Sequence, residues 1–153
     1  MKPATPPSAA QLVGTWKLVS VENTISGKDQ PVLPFGADPA GFLMYQPDGY
    51  MCATLTDGER PPWKDAANPT DAEKIDYYDT FVAYCGTFKV DSEKSIVYHY
   101  PTVAWWPGFV GTTQARPFRL EGDKLIITVT GELGDPRMKK RVLVWQRAKG
   151  NAR

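Results

Sequence analysis

The sequence predicts an all-β fold, an eight-stranded antiparallel up-and-down barrel with one short helix near residues 71–82 between the third and fourth strands. Three observations point there. Eight short stretches with strand-like patterning follow one another along the chain. Turn chemistry separates most of them, most clearly at Pro47-Asp48-Gly49 and Glu121-Gly122-Asp123. The 14 prolines and 13 glycines among 153 residues suit short strands joined by turns better than a helical chain.

The elements follow in order. Val13–Glu22 alternates and is the first strand; Phe42–Gln46 and Tyr50–Leu55 form a hairpin about Pro47-Asp48-Gly49. A polar, Pro-rich loop runs through Pro69. Thr70-Asp71-Ala72-Glu73 then reads as a capping box, and Ile75, Tyr78 and Val82 recur at helical spacing, which predicts a helix over Asp71–Val82. Ala83–Val90 and Ser95–Tyr100 are the fourth and fifth strands about a turn at Asp91–Lys94. A loop with Trp105, Trp106, Pro107 and Gly108 leads to Gly111–Leu120, Lys124–Gly131 and Lys140–Arg147, with a turn at Leu133–Arg137 before the last strand. Closing such a meander removes both exposed edges. Eight strands enclose room for one small ligand. A β-sandwich is the alternative that turn spacing leaves open.

Composition bounds the rest. The length fits one domain, read as residues 11–148, with a disordered arm over 1–10 and a tail over 149–153. Met1–Pro7 lacks the apolar run of a targeting peptide. No segment approaches the roughly 20 apolar residues of a membrane helix. A net charge of +1 suggests no polyanionic partner, so neither nucleic acid nor membrane is expected. The cluster Arg137, Lys139, Lys140, Arg141 reads as a solvated hairpin turn. Cys52 and Cys85 fall in different strands with no CxxC, and read as inert, reduced thiols of a cytoplasmic protein. One histidine and scattered carboxylates give no metal-ligand spacing, so no metal and no cofactor are expected.

Several stretches resemble a known family. Gly14-Thr15-Trp16 opens the first strand like the Gly-x-Trp motif of lipocalins, and Arg147 closes the last strand like their terminal Arg. Gly41-Phe42-Leu43-Met44-Tyr45, Pro47-Asp48-Gly49-Tyr50-Met51, Tyr84-Cys85-Gly86-Thr87-Phe88, Val97-Tyr98-His99, Gln114-Ala115-Arg116-Pro117-Phe118 and Gly122-Asp123-Lys124-Leu125 are similar to the lipocalin-like domain family of bacteria and fungi. The resemblance runs from Leu12 to Arg147. It implies a calycin-type barrel with an internal cavity and Arg147 packed on Trp16. It implies no single reaction, since related barrels include carriers and cofactor-free cyclases or isomerases.

Strand parity proposes what faces inward. Lys89 and Lys124 belong outside, so Tyr84, Gly86 and Phe88 point in, as do Leu125, Ile127 and Val129. Phe118 and Leu120 select the parity that also carries Gln114 and Arg116 inward. On the fifth strand the face of His99 stays open. A turn about Asp91–Lys94 sets Gly86 opposite His99, leaving room for the imidazole. Tyr84, His99, Gln114 and Arg116 would then converge at one end, with Phe88, Phe118 and Leu120 in the drier part. Such buried polar groups need partners: each other, water or a ligand.

The expected site follows. His99 is the candidate general acid or base, with a hydrogen-bonded or solvent-facing histidine as the plain alternative. Tyr84 would assist it. Arg116 would hold a carboxylate, phenolate or enolate oxygen, or else form an ion pair with Glu22 or Asp48. Tyr45, Tyr50, Phe88, Gln114 and Phe118 complete the substrate-binding set. Trp105 and Trp106 form a lid, cover an apolar edge or make the contact of a homodimer. The favoured function is binding of a small, partly apolar or aromatic organic metabolite with cofactor-independent acid/base chemistry, as an isomerase, cyclase, dehydratase or lyase. The alternative is a non-catalytic carrier or sensor.

Overall fold

The computed structural model describes residues 5–131 and 136–150. Eight strands close into one antiparallel barrel in sequence order: β1 (Gly14–Ile25), β2 (Pro39–Tyr45), β3 (Tyr50–Asp57), β4 (Phe81–Asp91), β5 (Ile96–Ala104), β6 (Gln114–Glu121), β7 (Lys124–Thr130) and β8 (Met138–Arg147). β1 pairs with β8 as well as β2, which closes the ring and excludes the sandwich. Part of the turn expected at Leu133–Arg137, the start of the N-terminal arm and the end of the C-terminal tail lie outside the described residues.

Among the described residues two α-helices sit on the barrel, besides a single 3-10 turn at Pro107–Phe109. α1 (Ala9–Leu12) is one turn beneath the start of β1, with Ser8 at its N-cap. It plugs that end, since Leu12 is fully buried. α2 (Asp71–Asp79) lies between β3 and β4. Its predicted capping box forms: the Thr70 hydroxyl accepts from the Glu73 N–H, and the Glu73 carboxylate accepts from the Thr70 N–H at 2.8 Å. The helix stops three residues earlier than its spacing suggests. Phe81 and Val82 pair with Thr56 and Leu55 of β3 instead. Sheet pairing there outweighs a helical repeat of only three side chains.

Parity holds on the strands where a lysine decided it. Tyr84, Gly86 and Phe88 are buried on β4, and Leu125, Ile127 and Val129 on β7. On β6 the less exposed face carries Gln114, Arg116, Phe118 and Leu120, with Phe118 buried. The β6 start is later than expected, at Gln114, because Gly111–Thr113 belongs to the loop.

The β4–β5 register differs from expectation. Phe88, not Gly86, faces His99, and Gly86 faces Pro101 across an irregularity after Cys85. Glycine at 86 serves the backbone: a Cβ there would lie 2.0 Å from the Tyr100 carbonyl oxygen. Room for the imidazole is not its purpose.

Cys52 and Cys85 face each other across β3 and β4 and form a disulfide, so the reading of two inert, free thiols is corrected. Directly opposed residues of an antiparallel pair bring their Cα atoms close enough for such a bridge. Here the separation is 4.1 Å.

Candidate functional site

The two ends of the barrel differ in what fills them. At the end where β1 starts and β8 finishes, Trp16 is fully buried and its indole N–H donates to the Leu12 carbonyl at 2.9 Å. The Arg147 guanidinium lies 4.1 Å from the Trp16 ring centre and donates to the Val13 and Gln11 carbonyls. This end is packed shut, as the resemblance implied. A cavity of about 660 Å³ occupies the other part of the barrel.

The cavity wall is largely apolar, with Leu43, Leu55, Val82, Ile127, Val129 and Leu143 among its residues. Set into it are Tyr84, His99, Gln114, Arg116 and Arg141, together with the indole of Trp145. The first four are the convergent group expected from strand parity. Their order follows from the sheet: His99 pairs with Gln114 across β5 and β6, and Arg116 lies two residues along on the same face.

His99 is 1% exposed, so it faces the interior rather than solvent. Both ring nitrogens are engaged. Nε2 lies 2.7 Å from the Tyr45 hydroxyl and Nδ1 lies 2.7 Å from the Tyr84 hydroxyl. Burial, with a smaller contribution from the Arg116 charge, lowers the His99 pKa to about 3. The ring is therefore neutral near pH 7, and a weak base. Burial raises the phenol pKa values of Tyr45 and Tyr84, so both keep their protons; Arg116 partly opposes the shift at each.

Arg116 donates to the Gln114 side-chain carbonyl and the Ala115 main-chain carbonyl, both at 3.2 Å. Gln114 in turn donates to the Thr112 hydroxyl, which donates to the Phe109 carbonyl, each at 2.7 Å. This chain ties β6 to the loop over the open end. The ion pair considered for Arg116 with Glu22 or Asp48 does not form. Glu22 points outward on β1, and Asp48 instead accepts from the Tyr50 N–H in the β2–β3 turn.

Arg141 is the residue that sequence reasoning missed. Composition groups it with Arg137, Lys139 and Lys140 as a solvated turn. It lies instead on β8 and lines the cavity. Its Nε donates to the Asn23 side chain at 2.8 Å, and Asn23 is itself buried. Burial, then the Arg116 charge, lowers the Arg141 pKa to about 10, so it stays cationic at neutral pH. Counting back by two from the buried Trp145 and Leu143 reaches Arg141, and that signal was available in the sequence.

Trp105 and Trp106 border the cavity, with Phe109 between them in a cluster of ring contacts at 5.3 and 6.2 Å. α2 shares this rim: Tyr78 and Asp79 line the cavity, and the Tyr78 hydroxyl donates to the Trp105 carbonyl. Other expected substrate contacts are not on the cavity wall. Tyr50 is 60% exposed on the outer face, because Met51, Ala53 and Leu55 take the inner parity of β3. Phe88 and Phe118 are buried in the core, Phe88 against Tyr45 at 4.7 Å between ring centres, but neither lines the cavity. Tyr45 is fully buried behind His99 and reaches the cavity only through it.

A closed eight-stranded barrel with one plugged end and an internal cavity defines a calycin-type protein. The chain belongs to the lipocalin-like domain family, whose model matches residues 13–148. No curated protein matches it. Among solved structures it is similar to the lipoprotein YedD of Klebsiella pneumoniae subsp. pneumoniae, at 14% identity and a TM-score of 0.41, over 98% of this chain and 82% of that one. The cytoplasmic location expected from the sequence is withdrawn. It went with reduced thiols, and Cys52 and Cys85 are joined. No helix among the described residues is long and apolar enough to cross a membrane.

Proposed function

We propose that this barrel binds a small, partly apolar organic anion, such as an aromatic or aliphatic carboxylate, and holds it without transforming it. One observation carries the reading: the cavity wall is rich in hydrogen-bond donors and poor in acceptors. Arg116 and Arg141 both present cationic groups to it, and among the described residues neither has a carboxylate partner. The Trp145 indole N–H is buried without an acceptor among the described residues. Among the described residues Asp79 is the one carboxylate on the wall, and it is exposed at the rim. Two guanidinium groups that repel each other inside a barrel are costly unless something neutralises them. A ligand with an anionic head supplies the missing acceptors, and its apolar body matches the aliphatic wall. The volume falls within the range of about 300–1,000 Å³ usual for small-molecule sites.

The acid/base alternative finds less support. It needs His99 to take up and release a proton near neutral pH. With a pKa near 3 and both nitrogens hydrogen-bonded to tyrosines, the ring is a poor shuttle.

Titration calorimetry with matched probes tests the proposal. 1-Naphthoate should bind at least tenfold more tightly than 1-naphthylmethanol, and 1-naphthylmethylamine should bind least. Arg116→Gln should weaken naphthoate about tenfold and leave the alcohol unchanged. Equal binding of the acid and the amine would overturn it.

A further inference from the structure

The protons of the Tyr45–His99–Tyr84 row can be counted. Tyr45 is fully buried, and among the described residues its hydroxyl has one partner, His99 Nε2. A buried hydroxyl with a single partner donates to it, because otherwise its proton goes unpaired. Nε2 is then the unprotonated nitrogen. A neutral imidazole carries one N–H, so that proton sits on Nδ1. Nδ1 therefore donates to the Tyr84 hydroxyl oxygen, 2.7 Å away. The Tyr84 proton is left over. The other group beside the Tyr84 oxygen is Arg116, which can only donate, so no acceptor for the Tyr84 proton stands among the described residues, and the side chain lines the cavity.

We infer that Tyr45 and His99 are positioning residues that fix the Tyr84 hydroxyl as a hydrogen-bond donor into the cavity beside Arg116, where it selects ligands bearing an oxygen acceptor such as a carboxylate or enolate. Tyr45 imposes this without touching the ligand, since it lies behind His99 and off the cavity wall. The opposite orientation, with Tyr84 accepting from the ligand, needs the other tautomer and leaves the Tyr45 proton stranded. The row thus sets the sign of the polar contact, and Arg116 adds charge to it. Neutrality of the ring is consistent with its pKa near 3. The selectivity clause rests on the anion-binding reading, whereas the tautomer does not.

His99 is the chain's single histidine, so its ring nitrogens can be read without ambiguity. Nitrogen-15 NMR of the ligand-free protein at pH 7 should show Nδ1 with the shift of a protonated nitrogen and Nε2 with that of an unprotonated one. The reverse pattern, or rapid averaging of the two, would overturn the inference even if naphthoate binds. In Tyr45→Phe the lock is gone, and the two nitrogen shifts should move toward each other or exchange. Naphthoate affinity should then fall about threefold to tenfold although residue 45 makes no ligand contact. Tyr84→Phe should cost about tenfold for naphthoate and nothing for the hydrocarbon naphthalene. If Tyr84→Phe leaves naphthoate binding intact while Arg116→Gln weakens it, the anion reading survives and the Tyr84 donor does not. If naphthoate binds no better than the amine while the NMR tautomer is as stated, the anion reading alone fails.

Discussion

Arg147 and Arg116 both point inward from barrel strands, and they live in opposite circumstances. Arg147 lies over the Trp16 ring and donates to two main-chain carbonyls, so the protein itself meets its needs. Arg116 has two longer bonds, to its neighbour's carbonyl and to Gln114, and shares its cavity with a second cation, Arg141. One end of the barrel is complete without an occupant, and the other has donors to spare. Residue type does not separate structure from site; the balance of donors and acceptors around the residue does.

Variants can break this contrast. The largest effect should come at the closed end. Trp16→Ala removes a fully buried ring and strips Arg147 of its aromatic face, and should cost about 3–5 kcal/mol in urea unfolding. Arg147→Gln should cost less, about 1–3 kcal/mol, without altering naphthoate affinity. A loss of binding in Arg147→Gln at unchanged stability would erase the distinction between the ends.

Acid should expose the open end. The His99 pKa falls from its ordinary 6.5 to about 3 on folding, so between those values the unfolded chain binds the extra proton. The stability contributed by the neutral, buried ring is fully present above pH 6.5 and declines as pH falls toward 3. The slope is at most about 1.4 kcal/mol per pH unit. The groups facing the ring are Tyr45, Tyr84 and Arg116; burial raises both phenols, so neither tyrosine titrates in that window to mask it. His99→Gln should flatten the slope; an unchanged slope would mean that the ring is not held neutral. The smallest effect should be that of Arg116→Gln on the ligand-free protein, within about 0.5 kcal/mol of wild type, because the lost hydrogen bonds are offset by relief of repulsion with Arg141.

Much of the barrel was legible because lysines and bulky apolar residues disagree about which face is wet. Lys89 and Lys124 fixed β4 and β7, and Phe118 with Leu120 carried Gln114 and Arg116 inward. The β4–β5 register was not legible, since it depends on an irregularity after Cys85 that alternation does not encode. The Cys52–Cys85 bridge depends on that same placement in space: 33 positions apart, the two meet only once β3 and β4 pair. Arg141 was lost when a run of basic residues was read by composition, whereas parity from Trp145 would have placed it. The Tyr45–His99 bond joins residues 54 positions apart, and no local pattern announces it.

The most direct measurement is a crystal structure of the protein soaked with 1-naphthoate. The account predicts the carboxylate inside the barrel, within hydrogen-bond distance of Arg116 and the Tyr84 hydroxyl, with the rings against the aliphatic wall. A naphthoate bound outside the barrel, or one inside with its carboxylate turned away from Arg116 and Arg141, would contradict it.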